Sequence, residues 1–86
     1  DGIRVNSISP GSIHTPLLEY SASQLAKDGK TIDEMIAEFG AKHPVGRVGT
    51  TAETSSLIVY LCSEAASFIT GADLRIDGGL TAQLGT

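Results

Sequence analysis

Two short strand-like segments stand far apart in this chain, the β-branched Ile3–Ser9 near one end and Leu74–Asp77 near the other, with helix-like stretches between them. This order constrains the fold more than any other feature. Antiparallel neighbours are joined by a tight turn, whereas parallel strands need a crossover of about a dozen residues or more. Strand, helices, strand therefore predicts a parallel pair with a right-handed helical crossover. Parallel sheets are covered on both faces. Two strands in 86 residues leave strand edges and at least one apolar face bare, so the pattern predicts an α/β unit that is incomplete in this chain. The chain opens Asp1-Gly2-Ile3 and its only methionine is Met35, which predicts a piece of a longer protein.

The punctuation between the strands is clear. Pro10-Gly11 stops the first strand, since proline lacks a donor and glycine permits a sharp turn. A loop runs through Thr15-Pro16. A short helix is expected over 17–27, with Leu18, Ala22 and Leu25 on one face and Asp28-Gly29 at its end. Thr31 and Glu34 have the Thr-x-x-Glu spacing of a capping box, opening a helix over 31–42 whose apolar face carries Ile32, Met35, Ile36 and Phe39. Gly40 and Pro44 close that segment. A loop spans 43–49. Thr50 and Glu53 make a second capping box, and a helix over 51–66 follows.

On that last helix Leu57, Ile58, Val59, Leu61 and Cys62 cover an arc of about 200°, where a helix covering only its own core needs roughly 100°. Two readings fit: a subunit contact, or deep burial within a larger domain. The tail over 80–86 carries weak signals.

Composition narrows the function. Hydrophobic residues make up 41% and charged residues 19% of the chain, which excludes a disordered chain. A net charge of −4 argues against nucleic acid or an anionic membrane surface as partner. No apolar run approaches the ~20 residues of a membrane helix. Cys62 is the only cysteine, so neither an internal disulfide nor a CxxC zinc site can form. No signal-peptide pattern opens the sequence, and with a pI of about 4.9 a cytoplasmic location is expected.

The ten glycines build no GxGxxG or P-loop spacing, so no dinucleotide phosphate cradle is expected here. His14, His43 and Cys62 lack metal-ligand spacing, and no metal site is expected. Asp77, ahead of Gly78-Gly79, either contacts a ligand or serves as a turn residue bonding to nearby backbone. The sharpest feature is the run from Asn6 to Pro16, where a strand ends at Pro-Gly and a loop leaves its carboxyl end. Ligands bind at that end in open α/β sheets.

Four blocks in order carry a resemblance. They are Gly2-Ile3-Arg4-Val5-Asn6, Pro10-Gly11-x-Ile13-x-Thr15, Pro44-Val45-Gly46-Arg47-Val48-Gly49, and Ile69-Thr70-Gly71-Ala72-Asp73-Leu74-Arg75-Ile76-Asp77-Gly78-Gly79. Together they resemble the C-terminal part of a short-chain dehydrogenase/reductase. The resemblance implies a Rossmann-like, doubly wound parallel sheet, of which this chain holds a β-α-α-α-β part. Segment 3–9 corresponds to the sixth strand and 74–77 to the last.

It also implies an oxidoreductase that moves a hydride between NAD or NADP and a ketone or secondary alcohol. Pro10, Gly11, Ile13 and Thr15 would be cofactor-binding: Pro10-Gly11 shapes the turn, the Ile13 backbone meets the nicotinamide carboxamide, and the Thr15 hydroxyl meets the carboxamide or the pyrophosphate. Residues 17–42 would form the substrate lid, with Leu17, Leu18 and Tyr20 as substrate-binding side chains. Helix 51–66 and the last strand would form a homo-oligomer interface.

The family's catalytic Tyr-x-x-x-Lys is not in this sequence: Tyr20 is followed at that spacing by Gln24, and Tyr60 by Glu64. No catalytic residue is therefore expected in this chain, and the 86 residues alone are expected to be inactive. Thr51-Ala52-Glu53 stands where many members have Pro-Glu-Glu. A second reading keeps the chain as a stand-alone, non-catalytic βαβ unit that only self-associates.

Overall fold

The register of two strands organises everything else. The structure is a computed structural model and describes residues 2–26 and 28–83. Ser7–Pro10 forms β1 and Asp73–Ile76 forms β2. They pair in parallel, with Ser7 opposite Asp73 and Pro10 opposite Ile76. Between them run α1 (Pro16–Leu25), α2 (Ile32–Ala41), α3 (Thr51–Leu61) and a 3₁₀ turn at Glu64–Ala66. A second 3₁₀ turn, Leu80–Ala82, follows β2.

The first strand was expected over 3–9, but pairing starts only at Ser7. The cause lies in the partner segment. Gly71 turns with φ +73°, and the residues facing it are held mainly by side-chain bonds and not by a regular ladder. The Asn6 amide donates to Ile69 O at 3.0 Å and accepts from Ala72 N at 3.0 Å. Val5 N donates to the Thr70 hydroxyl at 3.1 Å, while Gly71 N donates to Val5 O at 2.7 Å.

Pro10, expected to stop the strand, is its last paired residue. Ser7 N donates to Ala72 O and Gly11 N to Ile76 O. In a strand of period two, Pro10 thus turns its missing donor to the edge away from β2, where proline is tolerated. Its partner strand likewise sits one residue earlier than the expected 74–77.

Helix α1 starts at Thr15, whose hydroxyl accepts from Leu18 N at 3.1 Å, with Pro16 in the first turn. It stops at Leu25. Lys27, the expected end, lies outside the described residues, as do 84–86 of the tail. Both expected capping boxes are formed, at Thr31–Glu34 and Thr50–Glu53.

Gly40 does not close α2; it is a buried residue inside it. A Cβ there would lie 2.7 Å from the Arg47 Cα, so glycine allows the 46–48 segment to cross the helix. The helix expected over 51–66 breaks after Leu61. The Ser63 hydroxyl donates to Tyr60 O at 2.6 Å, a local side-chain bond that competes with the helix. Ser63 itself is extended and starts the 3₁₀ turn.

The core is small. Its buried apolar residues are Ala22, Leu61 and Ala66, and among the described residues no large side chain is fully buried. The radius of gyration is 15.9 Å, against about 12 Å for a compact chain of this length. The accessible surface is 6138 Å², against about 4,800 Å² for a compact protein of this mass. The excess is apolar in part: Val59 and Phe68 are exposed, Phe68 completely.

Candidate functional site

The loop after β1 is fixed by hydrogen bonds from three directions. Gly11 N donates to Ile76 O at 3.1 Å, tying the loop to the end of β2. Gly49 N donates to Ser12 O and His14 N donates to Gly49 O, both at 2.8 Å. These two bonds make an isolated parallel bridge between Ile13 and Gly49. The third tie is a side chain: Ser12 N donates to His43 Nε2 at 3.3 Å.

The bridge has a consequence for Ile13. In a parallel bridge the flanking residues make the bonds, and the central residue's own N–H and C=O point the other way. Among the described residues, neither group of Ile13 has a hydrogen-bond partner. A free donor and a free acceptor thus sit side by side on one rigid residue, matched to the donor and acceptor of a primary amide.

Gly11 is needed for close approach, not for a turn. It is not among the residues with positive φ. A Cβ there would meet the Asp77 Cα at 2.9 Å and His43 Nε2 at 3.1 Å. Pro10 stands just before it as the last residue of β1. Thr15 lies two residues beyond the bridge residue Ile13. Its oxygen is engaged as the α1 cap, which leaves the hydroxyl proton free to donate outward. His14 is exposed and its Nε2 lies 2.9 Å from a Glu19 carboxylate oxygen.

The three side chains expected to face a substrate separate. Leu17 and Tyr20 are three apart on α1 and both exposed, whereas Leu18 is half-buried on the face of buried Ala22. Helix α1 packs on α2.

Asp77 has the turn role of its two readings. Its carboxylate accepts from Thr81 N, the Thr81 hydroxyl and Gly79 N. These bonds, the Thr81 hydroxyl first, hold its carboxyl below the usual range. Glu53 is pulled down to about 2, chiefly by Arg47, whose two terminal nitrogens donate to its two oxygens at 2.8 and 2.9 Å. Backbone N–H of Thr50 adds to this. The pair pins the 47–49 segment, and hence Gly49, to the start of α3.

Sequence reasoning missed His43. It is 4% exposed and its contact with Ser12 spans 31 positions. Its only visible signal was a histidine between a helix end and a proline. A pocket of about 140 Å³ lies beneath the loop, lined by Ser12, Ile13, His43, Glu53 and Asp77 among others. Ligand pockets measure about 300–1,000 Å³, so this pocket alone is smaller than a usual ligand site.

A loop leaving the carboxyl end of a strand in a parallel α/β unit is the arrangement of a Rossmann-like fold. The family model described as enoyl-(acyl carrier protein) reductase matches residues 1–81, and the chain belongs to the short-chain dehydrogenases/reductases.

Its relatives include a tropinone reductase homolog of Arabidopsis thaliana, 43% identical over 81 residues, covering 94% of this chain and 27% of the relative. A tropinone reductase homolog of Datura stramonium is 42% identical, covering 94% and 28%. Among solved structures, the ligand-free aldohexose dehydrogenase of Thermoplasma acidophilum superposes with a TM-score of 0.87 at 38% identity, covering 96% of this chain and 33% of that one. L-Sorbose reductase of Gluconobacter frateurii, complexed with NADPH and L-sorbose, has a TM-score of 0.84 at 34% identity, covering 94% and 32%. The chain spans a quarter to a third of the length of these relatives.

Proposed function

We propose that this chain works as the C-terminal part of an NAD(P)-dependent oxidoreductase acting on a ketone or secondary alcohol, and that loop 10–15 is its nicotinamide-contact loop. One observation carries the reading: the Ile13 N–H and C=O are free, adjacent and held rigid by the bridge to Gly49. The bound cofactor supplies the hydride or receives it.

The chain's own residues orient the ring. Ile13 pairs with the carboxamide, Thr15 donates its hydroxyl proton, and Gly11 keeps the loop close to β2. Holding the ring in one orientation decides which face meets the substrate. Leu17 and Tyr20, exposed on α1, line the substrate side of the lid, with Leu18 setting how α1 lies on α2. Val59 on α3 and Phe68 after the following 3₁₀ turn, both exposed, support a homo-oligomer interface. The acid–base residues lie outside these 86 residues, so the chain alone turns over no substrate.

The test uses the full-length protein and titration with NADH and NADPH. Thr15 also caps α1, so alanine there would remove two functions at once. Glycine keeps most of the capping energy, losing a few tenths of a kcal/mol. Thr15→Gly is expected to weaken cofactor binding about fivefold, as for one lost hydrogen bond, and Thr15→Ser to bind nearly as the wild type does. A wild-type protein that binds neither cofactor overturns the proposal.

A further inference from the structure

His43 lies at the joint between the lid and the loop, touching both. Its Nδ1 is 3.0 Å from Phe39 O, in the last turn of α2, and its Nε2 is 3.3 Å from Ser12 N. A carbonyl oxygen can only accept and a backbone N–H can only donate. These partners assign one form of the ring: neutral, with the proton on Nδ1 and the lone pair on Nε2. The side chain is 4% exposed, so water does not offer an easy substitute for either bond.

The two partners do not depend on it equally. Phe39 O also accepts from Lys42 N, so it keeps a partner without the ring. Among the described residues, Ser12 N has only His43. Ser12 is also the residue whose carbonyl accepts from Gly49 N. It thereby holds one of the two bonds that turn the Ile13 amide pair outward. From these contacts we infer that His43 is a positioning residue for cofactor binding, locking the nicotinamide-contact loop to the end of the lid helix through Ser12. The inference rests on the proposed role of loop 10–15. It predicts that lid and loop move together, since one buried ring is bonded to both.

Three variants of the full-length protein separate the two bonds. Glutamine carries its amide oxygen out to about the position of Nε2 and can accept from Ser12. Asparagine reaches only as far as Nδ1 and can bond Phe39. Phenylalanine keeps the bulk and makes neither bond. Two readouts are taken: exchange of the Ser12 amide hydrogen without cofactor, and the dissociation constant for NADH and NADPH.

His43→Phe and His43→Asn are expected to speed Ser12 exchange and weaken cofactor binding, each about tenfold, within the range for an orphaned buried donor. His43→Gln is expected to restore both to within about threefold of the wild type. Rescue by glutamine but not asparagine separates positioning from packing, which would treat the two amides alike. Unchanged Ser12 exchange in His43→Phe overturns the inference whatever the cofactor does. Failure of the wild type to bind either cofactor overturns the proposed function instead, and Ser12 exchange then still judges the His43–Ser12 lock. Faster exchange with unchanged cofactor affinity overturns the positioning role alone.

Discussion

Loop 10–15 and the flank of α3 are built on opposite terms. Around the loop, backbone groups of Gly11, Ser12, His14 and Gly49 find partners within the chain, and among the described residues Ile13 keeps both its N–H and its C=O free. Along α3 and just after the 3₁₀ turn that follows it, Val59, Tyr60 and Phe68 lie exposed, and β1 and α3 border an open groove of about 500 Å³ lined by Val5, Ile8, Ile58 and Leu61 among others. In the loop most polar groups are paired within the chain, while along α3 apolar burial is left open. Hydrogen bonds need partners within about 3 Å and so have to be settled by nearby residues. Hydrophobic burial is non-directional and can be completed by any surface that covers it.

The sharpest way to break this comparison is to charge the flank. Val59→Asp with Phe68→Asp in the full-length protein is expected to dissociate an oligomer. Each large apolar side chain buried at an interface is worth about 1.5–3 kcal/mol, and sedimentation velocity reads the change. An unchanged assembly would mean that this face meets no second subunit.

On the loop side, Gly11→Val drives a branched side chain against the Asp77 backbone and His43. It is expected to destabilise by about 1–3 kcal/mol, as overpacking does, measured by thermal melting, and to weaken cofactor binding with it.

Smaller again is Thr50→Ala, which removes one capping box at a cost of about 1 kcal/mol, read by the same melts.

The smallest effect is electrostatic. Glu53 lies at about 2, below its ordinary 4.5, so its contribution is present above the unfolded value and fades as pH falls from 4.5 towards 2. The melting-temperature advantage of the wild type over Glu53→Gln should shrink over that window and also shrink in high salt, since the pair is exposed.

Local features were legible in the sequence and long-range ones were not. Both capping boxes could be read because Thr-x-x-Glu acts within one turn, and the α/β order followed from the strand and helix patterns. The helix break at Ser63 was missed because a serine's bond back to Tyr60 O leaves no mark on hydrophobic periodicity. Gly11 and Gly40 were read as turn and stop signals. Their real constraint is the approach of Asp77 and Arg47, residues 66 and 7 positions away in a chain whose close contacts are set only by folding. His43 belongs to the same class. At the loop itself, Pro10, Gly11, Ile13 and Thr15 were named as a group from family resemblance; the Ile13–Gly49 bridge that frees the amide pair has no pattern of its own.

Pro10 also limits what the rest of a sheet can do. Its missing donor faces the bare edge of β1, two residues beyond Ile8, whose amide faces the same way. A strand zipping along that edge would find a donor at Ile8 and none at Pro10. Its next carbonyl would be stranded beside the start of the loop, at the mouth of the site. The seam between two strands would therefore always open at one fixed tooth, and the oxygen left there would be available to water or to a bound molecule.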